Sequence, residues 1–239
     1  SWDDAVTLFH EFGHGLHGLA SDVRYPSLSG TNVDRDYVEF PSQLLEHWLP
    51  TSEVLNRFAL HYQTGKPMPS ALVERIKKAS TFNQGFATAE YLSSAIVDMM
   101  LHMDPNGVVD PNAFEAQALA KIGMPKELVM RHRLPQFNHL FSSDAYSAGY
   151  YSYLWSETMD ADTWAAFEEA GNVWDPATAQ RFARSLGLPP APELAHASEA
   201  YAGALRRAAA QAEALGVECK VGLATRAIRV VIMSAGLVF

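Results

Sequence analysis

Asp3-Asp4-Ala5-Val6-Thr7-Leu8-Phe9-His10-Glu11-Phe12-Gly13-His14-Gly15-Leu16-His17-Gly18-Leu19 sets apolar side chains at positions 5, 8, 9, 12, 16 and 19. That is the spacing of one helix face. Inside it, His10-Glu11-Phe12-Gly13-His14 has the form His-Glu-x-x-His. Residues four apart stack on one face, so the two imidazoles converge on a single metal ion. Glu11 follows the first histidine and is placed to reach a water at that ion. Gly13 and Gly15 flank His14 and let another backbone or a substrate come close. Each glycine costs a helix interior roughly 1 kcal/mol, so packing or function must hold it there. The plainer reading makes His10 and His14 ordinary core or surface histidines.

The remaining sequence is also helical in pattern. A second helix is expected from Asp36 to just before Pro50, and a third from Thr51-Ser52 to Gly65. Further helices are expected over 69–78, 87–102 and 147–170, the last ended by Gly171-Asn172. Asp110-Pro111 and Asp175-Pro176 each pair a capping acid with a first-turn proline. Ser21 to Thr31 is turn-rich. Only 24–28 and 137–142 read as short strands, so the class is mainly α with little β structure. Residues 186–192 read as a linker, 195–215 as an alanine-rich helix and 217–239 as an apolar, strand-like end. The division expected is therefore 1–185 and a divergent tail, 186–239.

Composition narrows the function. The 239 residues carry a net charge of -9, whereas a phosphate backbone calls for clustered Lys and Arg, so nucleic acid is not the expected partner. No apolar run approaches the roughly 20 residues of a membrane helix. Cys219 is the single cysteine, which fits a reducing compartment. The expected location is cytoplasmic, with the periplasm open because an upstream signal would not be visible.

A catalytic zinc takes three protein ligands and keeps one position open. The third ligand is to be sought among His17, Asp34, Asp36, Glu39 and Glu46. His17 follows His14 by three residues, and a rigid helix does not easily aim three imidazoles at one ion. On the second helix Glu39, Gln43 and Glu46 share one face at i, i+4 and i+7. Glu39 as ligand would leave Gln43 or Glu46 to buttress a histidine ring. Farther on, His139, Tyr146, Tyr150, Tyr151 and Tyr153 crowd one region. On a helix Tyr146, Tyr150 and Tyr153 share one face, while Tyr151 points elsewhere. Such a group either packs a core or donates to an oxyanion. His47, His61, His102, His132 and His196 lie outside ligand-like spacing. Arg35 is either a helix-start charge or a holder of a substrate carboxylate.

The stretch from Thr7 to His17 resembles the zinc helix of the thimet oligopeptidase and peptidyl-dipeptidase family. Arg35-Asp36-Tyr37-Val38-Glu39-Phe40-Pro41-Ser42-Gln43 resembles the segment that carries that family's third, glutamate ligand. Phe82-Asn83-Gln84-Gly85-Phe86-Ala87-Thr88 and Tyr150-Tyr151-Ser152-Tyr153-Leu154-Trp155 match as well. Phe141-Ser142-Ser143-Asp144-Ala145-Tyr146 is closest to the dipeptidyl carboxypeptidase branch. The likeness runs from about Thr7 to Arg184, and after about Ser185 the family's ending is not found. It implies a zincin-type helical domain, with zinc on His10, His14 and Glu39 and Glu11 as general base. It further implies catalytic roles for His139, Tyr146 and Tyr153 and a place for Tyr150 in the site lining. Short peptides are the implied substrates, with release of C-terminal dipeptides as the implied reaction and endo-acting cleavage as the alternative. The chain would be the C-terminal part of the catalytic domain, with the upstream half of the channel as a partner. A helical fragment that keeps the motifs without cleaving is the rival.

Overall fold

In the computed structural model the described residues are 1–185. They form ten α-helices, two short 3-10 turns and an isolated antiparallel bridge between Leu60 and Pro67, with no strand among them. The helices are α1 Trp2–Leu19, α2 Arg35–Val38, α3 Phe40–Glu46, α4 Ser52–Phe58, α5 Ser70–Ser80, α6 Gln84–His102, α7 Pro111–Lys121, α8 Asn138–Phe141, α9 Ser152–Glu169 and α10 Pro176–Ser185. The mainly α class is therefore what the described residues adopt. The linker, helix and strand-like end expected beyond Leu186 lie outside the described residues.

The chain divides into two compact units that alternate along the sequence. Among the described residues, the first takes Ser1–Val33, Phe40–Pro67 and 159–185. Here α1, capped by Ser1 with Asp3 and Asp4 in its first turn, packs on α3. Phe40, Leu44, Leu49, Val54, Leu55 and Phe167 are buried. Trp48 donates its indole N–H to the Val173 carbonyl at 3.0 Å and meets Trp164 and Phe167 edge-on, both at 5.0 Å. Beside this cluster lies an apolar hollow of about 490 Å³. The apolar face expected for α1 supplies Ala5, Leu8, Phe9, Phe12 and Leu16 to its wall.

The second unit takes Asp34–Glu39 and Met68–Thr158. Its core joins Val97, Ala118, Leu119, Met130, Leu134, Phe137 and Leu140. Asp110 caps α7 as expected, its carboxylate accepting the N–H groups of Asn112 and Ala113 at 3.0 and 3.1 Å. Buried Glu115 on α7 accepts the Leu134 N–H at 2.9 Å and pairs with Arg133.

Four expectations fail, each for a local reason. The helix expected from Asp36 to Pro50 breaks at Glu39. Pro41 has no N–H to offer the Tyr37 carbonyl one turn earlier, and the Glu39 N–H bonds that carbonyl instead. The helix expected to reach Gly65 ends at Phe58. Beyond it the chain reverses: the His61 N–H bonds Lys66, the Gly65 N–H bonds His61, and Gly65 sits at φ +64°. The helix expected from Ser147 starts at Ser152, because Ala148 takes φ +54° and interrupts it. The two short strands do not form. Residues 26–28 are a 3-10 turn opened by Pro26, and 138–141 are α8.

Candidate active site

On α1, His10 and His14 lie one turn apart with ring centroids 4.8 Å from each other, nearly perpendicular. Gly13 between them is buried because α3 crosses there. A Cβ at Gly13 would stand 2.4 Å from Ser42 Cα, so only glycine permits the approach. Gly15 has nothing within 4 Å, and no close contact explains it. The same α3 carries Glu46, whose Oε1 is 2.7 Å from His10 Nδ1. A carboxylate accepting from Nδ1–H fixes the ring and makes Nε2 the nitrogen that carries the lone pair, the form in which an imidazole ligates a metal. Gln43 sits half-buried on α3, one turn before Glu46.

Glu39 is 1% exposed. It is joined by a peptide bond to Phe40, the first residue of α3, and this fixes where its carboxylate starts from. One ligand atom each from His10, His14 and Glu39 lies within 4.8 Å of the others. Two imidazoles and one carboxylate are a donor set that suits a zinc ion. The chemistry of the donor set therefore fits that metal. Glu11 stands exposed beside His10, free to reach a solvent molecule.

The other third-ligand candidates are placed elsewhere. His17 is buried, and burial together with neighbouring His14 holds its pKa below the usual imidazole range. Asp34 is the cap residue of α2. Asp36 Oδ2 accepts the Tyr151 hydroxyl at 3.1 Å. His47, which was not among those candidates, pairs with buried Asp160 at 2.9 Å and stacks on Trp164.

Within the second unit the aromatic group assembles by a route the sequence did not suggest. Only Tyr153 is on α9; Tyr146 and Tyr150 precede it in the turn, and His139 is on α8. They still meet. Tyr146 and Tyr153 stack in parallel at 5.7 Å, and Tyr150 lies edge-on to Tyr153 at 5.3 Å. The His139 ring is 5.9 Å from Tyr146, 5.7 Å from Tyr150 and 6.4 Å from Tyr153. Tyr146 donates a short hydrogen bond to Glu39 Oε1, and Arg35 lies over its ring at 4.9 Å. Burial raises the pKa of Tyr146, Tyr150 and Tyr153; the bond to Glu39 adds to it for Tyr146, and the bond with Tyr146 adds to it for Tyr153. Raised phenols stay protonated in neutral solution and remain donors.

Sequence reasoning missed Tyr91 and Asp98 on α6. Both hold the turn that carries Tyr150, and burial pushes the Tyr91 phenol up to about 12. The signal was a lone acid within Ala95-Ile96-Val97-Asp98-Met99-Met100-Leu101. An acid inside an apolar helix stretch must be bonded to something.

The model of Peptidase family M3 matches residues 1–185. A dipeptidyl carboxypeptidase of Salmonella typhimurium is 46% identical over 175 residues, 72% of this chain and 26% of that protein. The dipeptidyl carboxypeptidase of Escherichia coli is 45% identical over the same shares. Oligopeptidase A of Escherichia coli is 35% identical over 184 residues, 75% of this chain and 27% of that protein. The matched part of the chain thus spans about a quarter of the length of these relatives.

Proposed function

The chain belongs to Peptidase family M3, and on that premise we propose that it is the metal-bearing part of a zinc peptidase acting on short peptides. The observation that carries this reading is the convergence of His10, His14 and Glu39. Residues 1–185 are then the catalytic portion, and the rest of the channel is the segment that the longer relatives carry outside the match. Higher identity to the dipeptidyl carboxypeptidases than to oligopeptidase A supports release of C-terminal dipeptides. The lone cysteine supports a reducing, cytoplasmic setting. No helix among the described residues is long and apolar enough to cross a membrane.

When bound, zinc supplies Lewis acidity at the scissile carbonyl and at water. His10, His14 and Glu39 would hold it, and Glu46 keeps His10 in the ligating tautomer. Glu11 takes a proton from the attacking water and passes it to the departing amine. At rest the Tyr146 hydroxyl donates to Glu39 and the Tyr153 hydroxyl to Tyr146; in the reaction Tyr153 and Tyr146 turn these donors, with His139, to the oxygen on which negative charge develops. Tyr150 lines the same group. Arg35 offers a guanidinium to the free C-terminal carboxylate of a peptide.

The test is metal content measured alongside peptide turnover. The purified chain is expected to hold about one zinc, His14→Ala to lose it, and Glu11→Gln to keep it while losing turnover roughly 100- to 10,000-fold. Full zinc retention by a His10→Ala, His14→Ala double variant overturns the ligand assignment. Zinc without turnover in the parent supports the rival reading of a non-cleaving fragment. Equal cleavage of free-acid and C-terminally amidated peptides supports endo-acting cleavage, the mode of the alternative.

A further inference from the structure

Asp98 is a fully buried acid that the chemistry above leaves unused. It sits on α6 with both oxygens turned to the segment between α8 and α9. Oδ1 accepts the Ala148 N–H at 3.0 Å and Oδ2 the Tyr150 N–H at 2.9 Å. His102, one turn on, brings Nδ1 to 2.8 Å from Oδ1. Tyr91 lies seven residues before Asp98 and so on the same helix face. Its hydroxyl donates to the Tyr150 carbonyl at 2.6 Å and accepts the Leu154 N–H at 3.1 Å. One face of α6 thereby grips Tyr150 by its N–H and its C=O together.

What this grip holds is strained. Ala148 has φ +54°, a left-handed conformation that a residue with a β-carbon adopts at a cost. Such a conformation persists only where its surroundings over-determine it. The Ala148 N–H is one of the groups Asp98 accepts. Gly149 follows, where a Cβ would lie 3.3 Å from Tyr146 Cα, so the turn folds back on the residue that bonds Glu39.

We propose that Asp98 is the positioning residue of the tyrosine turn: its carboxylate holds Ala148 left-handed and so fixes Tyr146 and Tyr150 and the point at which Tyr153 enters α9. A carboxylate is needed because two N–H groups face it and both need acceptors. Asparagine offers one acceptor, and its NH2 would meet an N–H. The purpose of the grip rests on the peptidase reading; the grip itself does not.

The experiment uses the full 239-residue chain and reads amide hydrogen exchange at Ala148 and Tyr150 together with zinc content, kcat and KM. Asp98→Asn is expected to speed exchange at these two amides about tenfold or more, one hydrogen bond's worth, while α7 keeps its protection and zinc is retained. Turnover should fall about tenfold in kcat with KM within about twofold, because positioning is realised in the transition state. Adding Ala148→Gly removes the steric cost of the left-handed turn and should restore a large part of both readings. Unchanged exchange at the two amides overturns the proposal. So does a loss of protection shared equally by α6 and α7 that Ala148→Gly does not reverse, since that marks Asp98 as a general folding residue. Should Asp98→Asn fail to fold, Tyr91→Phe takes its place: it removes a single hydroxyl, and faster exchange at Leu154 with a lower kcat supports the grip, while no change in either overturns it. A parent chain that binds zinc but cleaves nothing sinks the peptidase reading, and the exchange measurements still decide the grip.

Discussion

A phenol oxygen is the smallest change that separates packing from chemistry here. Tyr153 stacks on Tyr146 and would keep that contact as phenylalanine. If the oxygen serves only the fold, Tyr153→Phe costs about 0.5–1.5 kcal/mol, one hydrogen bond. Donation to the developing oxyanion instead makes kcat fall roughly 100- to 1000-fold with little change in KM. We expect the larger loss. Tyr151→Phe is the control: its hydroxyl reaches only Asp36, at 3.1 Å on a partly exposed surface, and the change should be nearly silent. Steady-state kinetics of both variants decide the matter, and an unchanged kcat in Tyr153→Phe returns that ring to the core. At this scale much was legible in the sequence. His10 and His14 follow from helical periodicity alone, because their geometry is local. Glu46 was one of two residues expected to buttress a histidine, and the structure puts its carboxylate on His10. Asp98 was legible as an acid in need of a partner but its partner was not, since a bond to a residue 50 positions away leaves no periodic trace.

Among the elements, the crossing of α1 over α3 sets the positions of His10 and His14, the metal ligands proposed above. Two glycines that look alike in sequence differ there. Gly13→Ala drives a Cβ into the Ser42 backbone and must part the helices, costing about 1–3 kcal/mol and loosening zinc binding. Gly15→Ala meets nothing within 4 Å and removes a flexible residue from a helix interior, so it should stabilise by up to about 1 kcal/mol. Thermal melts of the two variants with and without zinc test this; equal effects would mean that α3 does not approach α1 as described. The helix ends were harder to read than the helices. Asp110-Pro111 and Asp175-Pro176 act through bonds to the next three residues, and their starts fell where expected. The break at Glu39 was also in plain sight, because Pro41 lacks an N–H, but an apolar pattern running through it suggested continuity. The late start of α9 had no such signal, since nothing about alanine announces a left-handed turn.

Across the whole molecule, the buried phenols make stability a function of alkaline pH. Unfolded tyrosines ionise near 10, whereas burial raises Tyr150 and takes Tyr91 up to about 12. Between those values the unfolded chain has given up protons that the folded chain keeps, so the stability is fully present below about pH 10 and is lost as pH climbs through about 12. Urea midpoints should fall across this interval, and less steeply in Tyr91→Phe; a flat profile in the parent would mean that the phenols are not buried as described. The chain passes between its two units at Val33–Asp34, Glu39–Phe40, Pro67–Met68 and Thr158–Met159. Each unit is thus stitched from distant pieces, and the bond between Tyr146 and Glu39 spans 107 residues. That separation has a consequence in time. Closing a long loop is an entropic toll, whereas a helix turn forms from neighbours. The two histidines can therefore come into register in about a microsecond, ahead of the closure that lets the tyrosine hold the glutamate. If the chain holds zinc as proposed, metal affinity then matures in stages during folding, weak while two ligands wait and full once residues 39 and 146 have met.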